Sequence, residues 1–202
     1  MSPRFNARTQ CDDAMGTDAE NHHGVLKAGK ARMTMKCERC GKAATIRKTQ
    51  TYQYVESGLD NVYLENTEVR VCKSCGDRSP RIASINKLHD TIARALVLKP
   101  YPLSGRDIRF LRQHLGLKAR HWAALMPVDV TTLSRWESGE QKIGPQSDSL
   151  IRLLYIRFNE EKMGHLFPEK ATERIASVKR AKSRSPKLRV DMNNPSVYSY
   201  QR

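Results

Sequence analysis

Hydrophobic and polar positions change their period along the chain, and the change separates two kinds of structure. From residue 45 to residue 72, β-branched and aromatic residues alternate with polar ones, with a break at Ser57–Asn61. A period of two with Gly and Asn at the break predicts a small antiparallel sheet. From residue 81 onward, apolar residues recur three and four positions apart, which predicts helices.

Five segments carry apolar residues at helical spacing. They are predicted over residues 81–98, 106–115, 118–126 and 130–138, with a fifth helix after Pro145. Residues that cap or break helices bound them: Pro100 and Pro102 after the first, Ser104 with Asp107 before the second, and Asp129 and Gly139 around the fourth. The pattern predicts an α+β fold in which a small β domain precedes an all-α domain.

Four cysteines flank the predicted sheet as two Cys-x-x-Cys pairs, Cys37/Cys40 and Cys72/Cys75. Two thiolates at this spacing reach one ion from a single tight turn, and the Gly after each pair helps the turn to close. Two pairs supply the four sulfur ligands that structural Zn²⁺ prefers. The sequence therefore predicts a zinc-ribbon-like β domain whose metal has no open position for a catalytic water.

Other uses of the four cysteines fit the sequence less well. Two disulfides need an oxidising compartment, and the N-terminus shows no charged segment followed by an apolar one. A thioredoxin-like redox pair needs one Cys-x-x-Cys in a βαβ setting. Ferredoxin-type iron–sulfur clusters use more closely bunched cysteines. Zinc is therefore the metal that we expect.

The composition favours a polyanionic partner. The 202 residues carry 36 Lys and Arg against 21 Asp and Glu, a formal net charge of +15, and nucleic acid is the commonest partner of so basic an intracellular protein. The mean hydropathy is -0.65 and no long apolar run occurs, so we expect a soluble, cytoplasmic protein without a membrane span. No paired carboxylates, Gly-rich phosphate loop or Ser/His/Asp set stands out, so we expect no enzyme.

Both ends of the chain lack clear apolar periodicity. Residues 1–34 are rich in Asp, Asn, Gly, Ala and Thr, which predicts a disordered N-terminal tail. Residues 164–202 include the basic run Lys179–Arg189 and are predicted to be a basic, disordered C-terminal tail. This run is either a nonspecific DNA-binding arm or a solvated tail without a function.

The run Val128–Gly139 resembles the recognition-helix pattern of the Cro and repressor superfamily of helix-turn-helix proteins. The resemblance implies that Val130, Thr131 and Arg135 face the DNA major groove. Thr131 and Arg135 are four positions apart and therefore share a helix face. An Arg on that face can donate two parallel hydrogen bonds to O6 and N7 of guanine.

The same resemblance assigns structural roles to four other residues. Leu133 and Trp136 are expected to fill the core, and Glu137 is expected to form an ion pair with Arg112. Three basic residues near the flanking turns are expected to contact phosphates: Lys118, Arg120 and Lys142. The alternative is an ordinary packing unit of helices that never touches DNA.

The two halves together resemble the MqsA-type (YgiT-type zinc-finger) antitoxin family over residues 35–160: a Met-Lys-Cys-x-x-Cys start, a second cysteine pair, a linking helix and a Cro-like domain. The resemblance implies a homodimer whose zinc domain neutralises a toxin and whose helix-turn-helix represses its own operon at a palindromic operator. The zinc cysteines and the recognition helix carry over residue by residue. The toxin-contacting surface does not, because no motif for it is present.

We therefore expect five parts: an N-terminal tail (1–34), a zinc-binding β module (35–80), a connecting helix and linker (81–103), a Cro/repressor-like helix-turn-helix domain (104–163) and a C-terminal tail (164–202). The expected function is that of a sequence-specific repressor on double-stranded DNA in the bacterial cytoplasm and nucleoid. It is expected to be the antitoxin of a type II toxin–antitoxin system that autoregulates its operon. The alternative is a zinc-ribbon and helix-turn-helix regulator with no toxin partner.

Overall fold

The computed structural model describes residues 36–42, 45–164, 167–178 and 186–201. The elements in chain order are β1 (Thr45–Gln53), β2 (Val62–Cys72), β3 (Arg78–Pro80), α1 (Ile85–Leu98), α2 (Gly105–His114), α3 (Ala119–Leu125), α4 (Val130–Ser138), α5 (Pro145–Met163), α6 (Ala171–Ala176), β4 (Lys187–Asp191) and β5 (Tyr198–Gln201). The predicted α+β class is confirmed, with three strands of the cysteine-bearing sheet ahead of the helices and its last two strands after them. The predicted N-terminal tail and residues 179–185 of the basic run lie outside the described residues.

The sheet is built around β2. Strand β1 pairs with it antiparallel along nearly its whole length, from Thr45 opposite Cys72 to Gln53 opposite Tyr63. The other edge of β2 is shared: β3 pairs antiparallel at residues 69–71, and β4 pairs parallel at residues 62–65. Strand β5 then extends the sheet antiparallel to β4. The sheet therefore mixes local hairpin pairing with one long-range parallel contact.

A bulge lies in the middle of β2. The β1–β2 register shifts between Gln50 and Tyr52, and Asn66 adopts a positive φ of 53°. Asn tolerates this conformation better than most residues, because its short polar side chain can form local hydrogen bonds. Here its side-chain amide donates to a carboxylate oxygen of Asp191 on β4 at 3.0 Å. The bulge thus lets β2 continue as one strand, with residues 62–64 before it and residues 67–72 after it.

Residues 164–202 do not form the predicted disordered tail where the structure describes them. Helix α6 buries Ala171 and Ile175, and β4 fully buries Leu188 and Val190. The physical reason is the alternation of apolar and polar residues in Lys187–Asp191, which suits a strand with one buried face. The high Lys and Arg content of the region concealed this short pattern.

A continuous hydrophobic core runs through the described sheet and helices. Val62 and Leu64 of β2 belong to the same buried cluster as Leu88 and Ile92 of α1, and all four are fully buried. The cluster continues into the helix-turn-helix region through Leu111 of α2. Helix α1 therefore packs as part of the core that both halves share. Among the described helices, none combines the length and apolar character that a membrane span needs.

The segment between α1 and α2 is fixed by a buried arginine. Arg152 of α5 is fully buried and donates to the backbone carbonyl oxygens of Val97 (2.7 Å), Lys99 (2.9 Å) and Tyr101 (2.6 Å). Its Nε donates to the carboxylate of Asp148 at 2.7 Å. These bonds satisfy a buried charge and carbonyls in the last turn of α1 and beyond it, so the proline-containing linker has a defined path.

The helix ends confirm one predicted cap and correct another. Ser104 Oγ accepts from the Asp107 amide at 3.3 Å, and Asp107 Oδ2 accepts from the Ser104 amide at 2.7 Å. This reciprocal pair is the predicted capping arrangement. Asp129 occupies the N-cap position of α4, but its side chain makes no capping hydrogen bond. Gly139 ends α4 with a φ of 83°, a conformation that favours glycine.

Candidate metal centre and nucleic-acid interface

The two cysteine pairs form the same kind of turn. In the first, the Gly41 amide donates to the Cys37 carbonyl at 2.8 Å. In the second, the Gly76 amide donates to the Cys72 carbonyl at 2.9 Å. Both glycines have a positive φ, 70° at Gly41 and 73° at Gly76, which a residue with a side chain adopts less easily. The glycine after each pair therefore closes the turn that aims two thiols in one direction.

The turns bring four sulfur atoms together. The Sγ atoms of Cys37, Cys40, Cys72 and Cys75 all lie within 4.8 Å of one another. The Sγ atoms of Cys37 and Cys75 are 3.7 Å apart, and those of Cys40 and Cys72 are 3.6 Å apart. A tetrahedral zinc ion with bonds of about 2.3 Å needs sulfur atoms about 3.8 Å apart. The arrangement fits a structural zinc ion, as predicted.

No disulfide joins these four cysteines in the structure. All four thiols are free, and their sulfur separations far exceed the bond length of about 2.05 Å in a disulfide. The backbone amide of Cys75 is the main cause that lowers the pKa of the Cys72 thiol, to about 7. The backbone amide of Asp77 lowers the pKa of the Cys75 thiol, but burial and the three neighbouring sulfurs together outweigh it and raise this pKa to about 12. Cys72 is therefore the thiol that most readily becomes a thiolate, which is the form that binds a metal.

The metal site lies where the first three strands meet. Cys72 is the last residue of β2 and pairs with Thr45, the first residue of β1. The Cys72 amide donates to the carbonyl of Asp77 at 2.9 Å, immediately before β3 begins at Arg78. Both Cys-x-x-Cys turns, which we call knuckles, therefore lie at one end of the sheet. A bound ion would fix that end, where the short loop of residues 73–77 connects β2 to β3.

Helices α3 and α4 have the arrangement of a helix-turn-helix unit. Helix α3 ends at Leu125, and α4 begins five residues later at Val130. The Val128 amide donates back to the carbonyl of Ala123 at 3.1 Å, which fixes the turn. The inward face of α4 buries Leu133 completely and leaves Trp136 only 6% exposed, as we expected. The opposite face of α4 is consequently open to solvent.

An ion pair holds α4 against α2. The Glu137 side chain is nearly buried and accepts from Arg112 at both oxygens, from Nε at 2.7 Å and from Nη2 at 2.8 Å. The pair confirms the expected contact between these two residues. Arg112 also donates to the Leu117 carbonyl at 3.0 Å, in the segment that leads to α3. One guanidinium therefore connects α2, α4 and the start of α3.

The structure places all six residues proposed for DNA binding on the surface. Three lie on α4, namely Val130, Thr131 and Arg135, and two lie at the start of α3, namely Lys118 and Arg120. Lys142 is exposed in the loop between α4 and α5. Lys118 occupies the N-cap position of α3, but its side chain makes no capping hydrogen bond. These side chains are therefore presented to solvent on or beside the helix-turn-helix.

Two exposed polar residues beside this set were missed in the sequence. Ser134 lies three positions after Thr131 on α4, so the two share a helix face. Gln141 is exposed after α4, and its backbone amide donates to the backbone carbonyl of Arg135 at 3.1 Å. The spacing of three positions between Thr131 and Ser134 could have predicted from the sequence that Ser134 shares this face. The position of Gln141 depends on the fold of the loop, which spacing alone does not reveal.

The clustered thiols and the helices that follow them define a class of proteins that pair a four-cysteine metal site with a helical half. Comparison with protein families gives the particular one: residues 35–160 match MqsA, the antitoxin component of a bacterial toxin–antitoxin system. The match covers more than half of the 202 residues, so the chain belongs to this family. No curated protein and no solved structure matches the chain significantly.

Proposed function

We propose that this chain is a sequence-specific DNA-binding repressor and the antitoxin of a type II toxin–antitoxin system that represses its own operon. The observation that carries the proposal is the exposed face of α4, held in place from behind by the Arg112–Glu137 pair. Its occurrence in a member of the MqsA antitoxin family supports both parts of the proposal.

The proposed base contacts come from α4. Arg135 is the side chain that would read guanine through two parallel hydrogen bonds, and Thr131 shares its helix face. Val130 is 45% exposed, and its methyl groups suit apolar contact with the methyl group of thymine. Lys118, Arg120 and Lys142 would contact phosphates and set the register of the protein on the duplex. The net charge of +15 supports this salt-dependent component of binding.

The four thiolates would hold zinc as a structural ion. A bound zinc ion would supply cross-linking between the two knuckles, because four protein sulfurs complete its tetrahedron and leave no position for substrate. In this proposal the chain has no catalytic role, consistent with the regulatory character of the family. The bound ion would instead secure the end of the sheet where β1, β2 and β3 meet, through its four ligands Cys37, Cys40, Cys72 and Cys75.

We further propose a homodimer on a palindromic operator, in the bacterial cytoplasm and on nucleoid DNA. Leu150 and Leu153 of α5 are 37% and 42% exposed, and their spacing places both on one helix face. Exposed apolar pairs of this kind suit a contact with a second copy. Two recognition helices related by a two-fold axis would read half-sites about one helical turn, or a multiple of it, apart.

The second candidate is a regulator with the same DNA-binding role and no toxin partner. The exposed α4 face favours it equally, because this surface requires only DNA. The two candidates differ in their genetic neighbourhood. A neighbouring reading frame whose product stops growth, and which this chain neutralises, supports the antitoxin. Its absence supports the plain regulator.

Selection of binding sites from random duplex DNA with the purified, zinc-loaded protein tests the DNA-binding half of the proposal. We expect an enriched palindrome that also occurs upstream of the gene for this chain. A reporter driven by that upstream region should be repressed by the protein and derepressed by the Arg135→Ala variant. Recovery of unenriched sequences, with equal binding to all of them, would contradict sequence-specific recognition.

A further inference from the structure

The described part of the chain beyond residue 160 contacts both halves of the protein. We call residues 167–178 and 186–201 the C-terminal clamp; they contain α6, β4 and β5. The family match ends at residue 160, so the clamp is an addition to the part of the chain that defines the family. Its first piece contacts helices, and its second piece extends the sheet.

The second piece is bound to β2 by backbone and side-chain contacts. The Leu188 amide donates to the Asn61 carbonyl at 2.8 Å, and the Met192 amide donates to the Glu65 carbonyl at 3.1 Å. Arg189 forms an ion pair with Glu65 across the same parallel pairing. These contacts fill the part of the β2 edge that β3 leaves free, where unpaired backbone groups would otherwise be open to another strand.

The first piece is attached to the helices. Helix α6 contacts α1 and α5 and buries Ala171 and Ile175. Phe167 lies edge-on to Tyr155 of α5, with ring centroids 6.3 Å apart, and the guanidinium of Arg94 on α1 lies 5.2 Å from the Phe167 ring centroid. The clamp therefore contacts the helices with aromatic and apolar groups while its strands complete the sheet.

Strand β5, in the second piece of the clamp, contributes a partly buried tyrosine to the region between the sheet and the helices. The hydroxyl of Tyr200 is buried, and its pKa is raised well above the usual value, chiefly by burial and further by the Asp107 carboxylate. Asp107 belongs to α2 and forms a buried ion pair with Lys99 of the linker. The Tyr200 side chain also packs against the buried hydrophobic cluster that the sheet and the helices share.

We propose that the C-terminal clamp couples the cysteine-bearing sheet to the helix-turn-helix half, so that the two unfold as one cooperative unit. By occupying the β2 edge within the same chain, the clamp adds a second connection to the one made by the linker and α1. Loss of the cysteine site is then transmitted to the DNA-binding helices. The proposal concerns folding alone and does not depend on toxin binding or operator recognition.

Two spectroscopic signals report the two halves separately. Both tryptophans of the chain, Trp122 and Trp136, lie in the helix-turn-helix half, so their fluorescence follows that half in urea. Charge-transfer absorbance of Co²⁺ loaded in place of zinc follows the four-cysteine site. In the full-length protein we expect the two signals to be lost at the same urea concentration.

Weakening the clamp should separate the two signals. Leu188→Asp places a charge at a fully buried position of β4, and we expect the Co²⁺ signal to be lost about 1 M urea before the tryptophan signal. Val190→Ala is a milder variant with an expected separation of about 0.5 M, and it decides the test if Leu188→Asp does not fold. Val197→Asp changes a residue of the same hairpin that is 54% exposed, and its two transitions should coincide.

Separate transitions in the unaltered chain would overturn the proposal, since the two halves would then already be independent. Coincident transitions in both Leu188→Asp and Val190→Ala would also overturn it, because the shared core alone would then couple the halves. Coincidence in the unaltered chain and in Val197→Asp, with separation in the folded β4 variants, is the outcome that the clamp requires.

Discussion

Arg112 and Glu137 are 25 positions apart in the chain, and two hydrogen bonds of 2.7 Å and 2.8 Å join their charged groups. The side chains are only 13% and 6% exposed. The hydrogen bond to Glu137 is the main cause that raises the pKa of Arg112 further above its usual value. The pair therefore fixes α4 from its inner side and leaves the outer face of this helix exposed to solvent.

Removing one partner of this pair should destabilise the fold strongly. Glu137→Ala leaves the mostly buried Arg112 without its carboxylate, and we expect a loss of about 3 kcal/mol in the free energy of unfolding. Arg109→Ala is the matched control, because Arg109 contacts the same carboxylate at 3.3 Å from a 52% exposed position. Its loss should be below about 1 kcal/mol. Urea unfolding followed by tryptophan fluorescence measures both, and equal losses would show that the Arg112 bonds carry no special weight.

Arg152, the buried arginine of α5, should contribute more to the free energy of unfolding than an exposed arginine on the same helix. Arg152→Met leaves Oδ2 of Asp148 and several backbone carbonyls without the guanidinium that donates to them, so we expect a loss of about 3–5 kcal/mol in unfolding free energy. Arg157→Met on the same helix removes a surface ion pair at a 69% exposed side chain, and it should change stability by less than about 1 kcal/mol. Thermal unfolding compares the two. An Arg152 variant as stable as the Arg157 variant would mean that the linker does not depend on this anchor.

The four-sulfur site should bind one zinc ion per chain. Cys72→Ser removes a ligand whose sulfur lies among the other three, so we expect zinc content to fall close to zero after dialysis. Ser74→Ala changes an exposed residue inside the same knuckle and should keep full metal content. Elemental analysis of both purified proteins gives the answer. Retention of a full equivalent of zinc by Cys72→Ser would rule out a four-thiolate site.

Base and phosphate contacts should separate in DNA-binding measurements. Arg135→Ala is expected to cost about 1–3 kcal/mol on the operator and little on unrelated DNA. Lys118→Ala should weaken binding to both DNAs similarly and reduce the magnitude of the salt slope by about 1. Titrations at several salt concentrations distinguish the two effects. If Arg135→Ala weakened both complexes equally, this side chain would be a phosphate contact.

Acid should destabilise the protein through His89. Its Nε2 lies 3.0 Å from the Tyr54 hydroxyl, and burial is the main cause that lowers its pKa, against the opposing effect of Asp90. The folded state therefore keeps His89 neutral, while the unfolded chain binds a proton below about pH 6.5. This contribution to stability is complete above about pH 6.5 and is lost as the pH falls through the folded-state pKa.

Comparison of the native chain with His89→Gln isolates that contribution. The urea midpoint of the native chain should fall more steeply between about pH 7.5 and pH 5.5 than the midpoint of the variant. The carboxylates common to both proteins cancel in the difference. Parallel pH profiles would show that protonation of His89 is not linked to folding.

The features that the sequence predicted are those that depend on short-range spacing. The Cys-x-x-Cys pairs, the capping arrangement of Ser104 with Asp107 and the buried positions of α4 all depend on residues within one or two turns of each other. The Arg112–Glu137 pair was predicted because the resemblance supplied its long-range partner. Local spacing and one family pattern were sufficient to predict the cysteine cluster and this ion pair, while the six DNA contacts stay a prediction.

Long-range contacts determine the features that the sequence did not predict. The short alternation in β4 suits a strand, but the strand is paired only because it meets β2, about 125 positions earlier, as the hydrogen bond from the Asn61 side chain to the Pro186 carbonyl illustrates. Arg152 is buried because its partners are backbone carbonyls, which no residue pattern marks. Basic composition predicted disorder in the region of β4, and tertiary pairing outweighed it.

Colony survival tests the proposed antitoxin role most directly. The neighbouring reading frame is induced in a bacterial host with and without this chain, and with the Cys72→Ser variant as a comparison. We expect induction alone to stop growth and co-expression of the native chain to restore colonies, with weaker rescue by Cys72→Ser. Growth arrest that the native chain fails to relieve, or no arrest at all, would contradict the antitoxin role.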